Sequence, residues 1–127
     1  MLAKKRVLVA EDEPTLNDIY VETFESFGYE TIGVKDGEMA LDYAKRNPVD
    51  FVITDLKMPK MDGLKLLEEI RKLNTQTPPV LIITGFIDEL NAQRAKELGA
   101  VDLMTKPFDF DKVILYIEEK LSQQTES

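Results

Sequence analysis

Five short apolar runs recur along this chain, and each is followed by a stretch whose apolar residues fall at helical spacing. They lie at roughly residues 5 to 10, 29 to 34, 49 to 54, 79 to 84 and 101 to 105. A strand pattern alternating with a helix pattern specifies parallel strands, because each helix must return the chain to the start of the next strand. Val7 to Ala10, Phe51 to Thr54 and Val80 to Thr84 are almost wholly apolar, as central strands covered on both faces are. Tyr29-Glu30-Thr31-Ile32-Gly33-Val34 alternates and contains a glycine, and Val101-Asp102-Leu103-Met104-Thr105 carries an acid, so both read as edge strands. Five βα units are too few to close a barrel, which leaves an open, doubly wound α/β sheet.

The first helix opens at Pro14, turns Leu16, Ile19, Tyr20, Phe24 and Phe27 inward, and ends at Gly28. A second enters at Asp36-Gly37-Glu38, with Met39, Ala40, Tyr43 and Ala44 inward, and stops at Asn47-Pro48. The third runs from about Gly63 through Leu64, Leu67, Ile70 and Leu73 to the break at Thr77-Pro78-Pro79. Asp88 to Leu98 is the weakest, with only Leu90, Ala95 and Leu98 as a stripe. A fifth begins near Asp109, read as its N-cap, and carries Val113, Ile114, Ile117 and Leu121. The 127-residue length suits one domain, residues 1–121, with Ser122 to Ser127 a polar tail or the start of a linker.

In open parallel sheets, ligands bind beyond the carboxyl ends of the strands. The polar residues most out of place in this chain lie there: Glu11 and Asp12 after the first strand, Asp55 after the third, Thr84 after the fourth and Lys106 after the fifth. Two like charges ~4 Å apart repel by ~4 kcal/mol at an effective dielectric of 20, so a cluster of three acids requires a cation among them. With no cysteine and no histidine in the chain, oxygen donors select a hard ion, Mg²⁺ or in its place Mn²⁺, rather than an all-protein Ca²⁺ cage. Lys106 adds a fixed positive charge, and Thr84, followed by the small Gly85, adds a hydroxyl with room beside it for a tetrahedral group. A carboxylate flanked by a divalent cation, a lysine and a hydroxyl is a phosphoryl acceptor, with Asp55 attacking phosphorus. Each residue alone has a plainer reading as a helix cap, first-turn acid, turn or exposed lysine. Their coincidence at four strand ends makes the site.

Charge and hydropathy exclude other classes. A formal charge of −8 and a pI of about 4.6 leave no broad basic footprint, so direct nucleic-acid binding is not expected. The basic N-terminus leads into an apolar run that stops at Ala10 before three acids, unlike a signal peptide, and no segment approaches a membrane span. A cytoplasmic protein without membrane contact is the expectation.

Four segments taken together resemble a known family. Val7-Leu8-Val9-Ala10-Glu11-Asp12-Glu13-Pro14, Asp55-Leu56-Lys57-Met58-Pro59-Lys60-Met61-Asp62-Gly63, Val80-Leu81-Ile82-Ile83-Thr84-Gly85, and Gly99-Ala100 through Lys106-Pro107-Phe108 are similar to the response-regulator receiver domains of the chemotaxis-regulator type, over residues 4 to about 121. The resemblance implies strand order 2-1-3-4-5 and phosphorylation of Asp55 by a sensor histidine kinase or phosphotransferase. The receiver would catalyse that Mg²⁺-dependent step itself without being an enzyme in the ordinary sense. It implies that Asp12 and Asp55 ligate the metal directly, the Lys57 carbonyl supplies a third ligand and Glu11 acts through water. Thr84 and Lys106 would each bind a phosphoryl oxygen, and the Lys106-Pro107 peptide would be cis. The implied readers are a protein target, an output domain in a longer transcription regulator, or a homodimer formed on phosphorylation.

Two positions depart from the resemblance or refine it. Leu103 stands where such switches commonly carry an aromatic ring, so a signal through the fifth strand must rest on packing, with Thr84 and the fourth helix as the switch. Lys57 and Phe86 flank the path of water to the phosphoryl group in that family, and an apolar Phe86 implies slow self-dephosphorylation. A haloacid-dehalogenase-like phosphatase also uses a strand-end aspartate, but heads its first strand with Asp-x-Asp, whereas here the acceptor follows the third. A flavin-mononucleotide site fits poorly, because Glu11-Asp12-Glu13 would repel its phosphate.

Overall fold

The two alternating periodicities become one parallel sheet in the computed structural model, which describes residues 4–73 and 77–125. The elements run β1 (Arg6–Ala10), α1 (Pro14–Ser26), β2 (Glu30–Val34), α2 (Gly37–Arg46), β3 (Phe51–Asp55), α3 (Gly63–Arg71), β4 (Val80–Thr84), α4 (Glu89–Glu97), β5 (Asp102–Thr105) and α5 (Phe110–Thr125). Their order across the sheet is β2-β1-β3-β4-β5, the expected doubly wound arrangement. Asp55 closes β3 rather than opening the loop after it.

Successive side chains of a strand point to opposite faces, and both faces here are covered. Val7, Val9, Phe51, Ile53, Leu81 and Ile83 meet Tyr20 and Phe24 of α1 and Val113, Ile114 and Ile117 of α5. Leu8, Val52, Val80 and Ile82 meet Ala40 of α2, Leu66, Leu67 and Ile70 of α3 and Ala95 of α4. Removing each large aliphatic side chain from water stabilises the fold by ~1.5–3 kcal/mol, so the central strands dominate the core. The edge strands β2 and β5 stay half exposed, as their patterns require.

Helical spacing located each stripe but not its centre. Ile19, Phe27, Met39 and Leu90, expected inward, are 41, 52, 43 and 72% exposed, while Leu41 and Leu66 are buried instead. In α1 the inner line steps by four through Leu16, Tyr20 and Phe24, and Ile19 and Phe27 fall beside it. Two ends also differ. α3 stops at Arg71 rather than reaching Thr77, because the chain must turn back towards β4. α5 continues to Thr125, past the Leu121 where a polar tail was expected, since extending a formed helix avoids the nucleation penalty. Glu126 and Ser127, the last residues of that expected tail, lie outside the described residues.

Aspartates start the later helices. Asp36, Asp62 and Asp88 accept hydrogen bonds from the N–H groups of Met39, Lys65 and Asn91 at 2.8, 2.8 and 2.7 Å. Asp109 accepts from Asp111 at 2.9 Å, as expected for the start of α5. Each such cap stabilises by ~1 kcal/mol. Gly28, at φ 93°, closes α1 in the left-handed region that glycine enters without penalty.

Sequence spacing gave no hint of Arg71. Its guanidinium, which burial makes less basic than usual, donates to the carbonyls of Leu98, Pro78 and Gly99 at 3.1, 3.1 and 2.8 Å. The end of α4 and the entrance to β4 are therefore tied to α3. Arg71→Met is expected to destabilise the protein by about 2–3 kcal/mol in urea unfolding, since three carbonyls lose a charged donor at once. Arg71→Lys should recover less than half, because an ammonium cannot reproduce the planar fork.

Candidate functional site

Register decides which strand ends meet. Ala10 pairs with Thr54, so Glu11 and Asp12 leave β1 beside the point where Asp55 closes β3. Asp55 pairs with Ile83 and Thr84 with Thr105, which brings Thr84 and Lys106 to the same edge. Parallel strands put all these ends on one side of the sheet.

Lys106 is the centre of the cluster. Its Nζ lies 2.8 Å from Asp55 Oδ2 and 3.1 Å from Glu11 Oε1. The other Glu11 oxygen accepts from the Glu13 N–H at 3.0 Å. One carboxylate oxygen from each of Glu11, Asp12 and Asp55 lies within 4.8 Å of the others. Glu11 is only 2% exposed, and Asp12 is open to solvent.

Burial pushes the Glu11 carboxyl above the usual carboxylate range, with the Asp55 charge adding to it, while the Glu13 N–H and Lys106 oppose that rise. For Lys106 burial favours the neutral amine, yet hydrogen bonds from its ammonium to Asp55 and Glu11 prevail and hold it above its ordinary value. The lysine therefore stays charged. It faces three acids with one positive charge, a local surplus of negative charge that a cation would relieve.

The remaining predicted residues surround this centre. Thr84 is buried, and its hydroxyl donates to the Phe86 carbonyl at 3.2 Å and accepts from the Phe86 N–H at 3.3 Å. Its own carbonyl accepts from the Lys106 N–H at 2.8 Å, which joins the ends of β4 and β5. Lys57 sits two residues beyond Asp55 with its side chain exposed. The Lys106-Pro107 peptide is cis. Leu103 packs on the α2-α3-α4 side of the sheet and lines a cavity of about 320 Å³ with Ile87 and Met104.

Two supports escaped the sequence reading. A Cβ added to Gly63 would lie 2.4 Å from the Asp55 carbonyl oxygen, so only glycine lets α3 start against the Asp55 backbone. The Asp62-Gly63 pair was a readable signal for it. Asn17 of α1 hydrogen-bonds backbone carbonyls beside the acids, and no spacing rule could have shown that.

The arrangement of acids and lysine at the ends of a 2-1-3-4-5 sheet has a counterpart among known proteins. A model of the response regulator receiver domain matches residues 7–118. This chain belongs to that family. Among relatives, the receiver is 36% identical over 126 residues to the regulatory protein AtoC of Escherichia coli, covering 98% of this chain and 27% of AtoC. It is 34% identical over 120 residues to the transcriptional regulatory protein PdtaR of Mycobacterium tuberculosis, covering 94% of this chain and 58% of PdtaR. The chain thus spans about a quarter of AtoC and under two thirds of PdtaR. It covers 90% of the sporulation initiation phosphotransferase F of Bacillus subtilis, with 30% identity over 112 residues and 88% of its own length.

Solved structures agree. A CheY-like receiver domain from Methanospirillum hungatei superposes with a TM-score of 0.92 at 26% identity, covering 98% of each chain. The Francisella response regulator 1452 receiver domain gives 0.87 at 31% identity, covering 95% of this chain and 99% of the other. The receiver is a phosphoacceptor signalling domain of two-component systems rather than a metabolic enzyme. No helix among its described residues is long and apolar enough to cross a membrane.

Receivers bind Mg²⁺ at an acidic pocket, and the donors present here fit such an ion. Three carboxylate oxygens within 4.8 Å of one another are hard ligands at a spacing that small side-chain rotations can close around one cation. Among the described residues, too few acids converge there for an all-protein Ca²⁺ cage.

Proposed function

We propose that the receiver accepts a phosphoryl group on Asp55 from the phosphohistidine of a sensor kinase or phosphotransferase, and that the modified state is read by a protein target, an output domain or a second receiver. The observation that carries this reading is the Asp55–Lys106–Glu11 contact set with Asp12 beside it. A carboxylate oxygen of Asp55 attacks phosphorus, the bond to the donor's nitrogen breaks, and the imidazole departs. Asp12 and Asp55, the Lys57 carbonyl and, through water, Glu11 would hold Mg²⁺, or Mn²⁺ in its place. Bound there, the ion would supply the positive charge that offsets the oxygens of the transferring group. Lys106 then exchanges its Asp55 oxygen for a phosphoryl oxygen, and its charge is already in place before transfer. The same reading puts its action in the cytoplasm, beside the kinase domain that feeds it.

Signal output follows from what Thr84 must give up. To reach a phosphoryl oxygen its hydroxyl has to leave the Phe86 backbone, which frees the segment before α4. Helix α4 is well placed to respond, since Ala95 is its only buried residue while Arg71 holds its far end. Leu103 would follow by packing alone.

The test is incubation with acetyl phosphate with and without Mg²⁺, followed by intact mass and by borohydride trapping of the acyl phosphate. A single phosphoryl group at position 55, absent in chelator, is expected; a group elsewhere defeats the reading. Phosphoryl lifetime gives a second test. Phe86, two residues beyond Thr84, is 66% exposed and has no polar side-chain atom with which to orient water. Phe86→Glu is expected to shorten the lifetime about tenfold, less than the roughly 10²–10⁴ of a fully placed base. Decay of the phosphoprotein at the wild-type rate would refute that role.

A further inference from the structure

We infer that Asn17 is a positioning residue for the acidic cluster, acting on Asp12 through the backbone that carries it; this rests on the reading of the acids as a divalent-cation site. Asn17 lies early in α1, and its Nδ2 donates to the Glu11 carbonyl at 3.0 Å and to the Val34 carbonyl at 2.9 Å. The Glu11 N–H donates to the same Val34 carbonyl at 3.0 Å. Only the nitrogen end of the amide can face two carbonyls, so its orientation is fixed by chemistry. One side chain joins α1 to the ends of β1 and β2.

The clamped Glu11 carbonyl belongs to the peptide unit that leads into Asp12. Because that unit is planar, holding its oxygen also sets the direction in which the chain enters Asp12, and so the arc its side chain can sweep. Glu11 has direct partners in Lys106 and the Glu13 N–H. Among the described residues, no hydrogen bond or ion pair holds the exposed Asp12 carboxylate. Its placement therefore depends on the backbone, and the backbone depends on Asn17.

Local preference argues that geometry is why these residues are here. Asparagine is a weaker helix former than alanine, and glycine weakens a strand. They meet at one point: a Cβ on Gly33 would lie 2.2 Å from Asn17 Oδ1 and 2.9 Å from Val21 Cγ2. Strand β2 lacks a side chain where the amide needs room. Two locally unfavourable residues thus meet at the one point where the amide needs room.

Mg²⁺ titration by calorimetry on the full chain tests this, using metal-free wild type, Asn17→Ala, Gly33→Ala and the double variant, with thermal unfolding of each. Each single substitution is expected to raise the Mg²⁺ Kd about tenfold, as is usual when a group that orients metal ligands is lost. The double variant should bind no worse than the weaker single one, because both changes remove the same clamp. Asn17→Ala should unfold within a few degrees of wild type, since alanine's helix preference offsets the lost hydrogen bonds. A folded Asn17→Ala with the wild-type Kd overturns the inference, as does full additivity in the double variant. If Asn17→Ala does not fold, Gly33→Ala decides alone, and a wild-type Kd there overturns it. Wild-type protein that binds no Mg²⁺ overturns instead the cation reading beneath it.

Discussion

Asp55→Asn is expected to abolish phosphoryl uptake from acetyl phosphate while leaving the fold intact. The amide matches the carboxylate in size and can still accept from Lys106, which lies 2.8 Å from Asp55 Oδ2 in the native protein. What disappears is the nucleophile, since a neutral amide oxygen does not displace acetate from phosphorus at useful rates. One of three clustered negative charges goes with it. Stability without Mg²⁺ should therefore hold or rise by about 1 kcal/mol as like-charge repulsion falls. Mg²⁺ should bind at least about tenfold more weakly. Intact mass and a urea titration check the two halves; uptake that survives in Asp55→Asn would overturn the acceptor assignment.

Lys106→Met should lower the rate of phosphoryl uptake by about 10²–10³ at saturating Mg²⁺, the usual loss when one fixed donor to a transferring group is removed. Methionine keeps the stem's packing and deletes the ammonium. The same change leaves buried Glu11 and nearly buried Asp55 without their shared cation. Unpairing buried charges costs roughly 3–5 kcal/mol in well-enclosed sites, and with Lys106 a quarter exposed the expectation is about 2 kcal/mol without metal. Added Mg²⁺ should restore much of that stability but not the rate, because it can balance the acids and cannot stand where the lysine meets the phosphoryl group. Urea midpoints with and without Mg²⁺, measured beside initial rates, separate these effects. A variant that is stable without metal, or that phosphorylates at the wild-type rate, contradicts the role.

The chain's own pattern made the site legible because parallel βα repeats leave one structural freedom unused: every strand must end on the same side. Glu11, Asp12, Asp55, Thr84 and Lys106 could be assigned to one edge once their strands were recognised, without any distance. Their relation to one another was less visible. The Thr84 hydroxyl is engaged by its own loop, while Lys106 reaches across the sheet to acids far away in sequence. Ile19, Phe27, Met39 and Leu90 were misjudged because spacing defines a stripe along a helix but not the line where the sheet touches it.

Arg71, Asn17 and Gly33 belong to a different class of residue. Their partners are backbone carbonyls or atoms of a distant side chain, and backbone carbonyls are the same in every sequence. Local pattern was enough for the alternation, the central strands and the acids with their lysine, because periodicity and charge are properties that one strand or helix displays alone. Tertiary structure alone decided the register that sets Ala10 beside Thr54, the lysine's choice of Asp55 and Glu11, and the clamp behind Asp12. Those depend on packing between elements distant in the chain, where the free energy lies in contacts that neither partner specifies without the other.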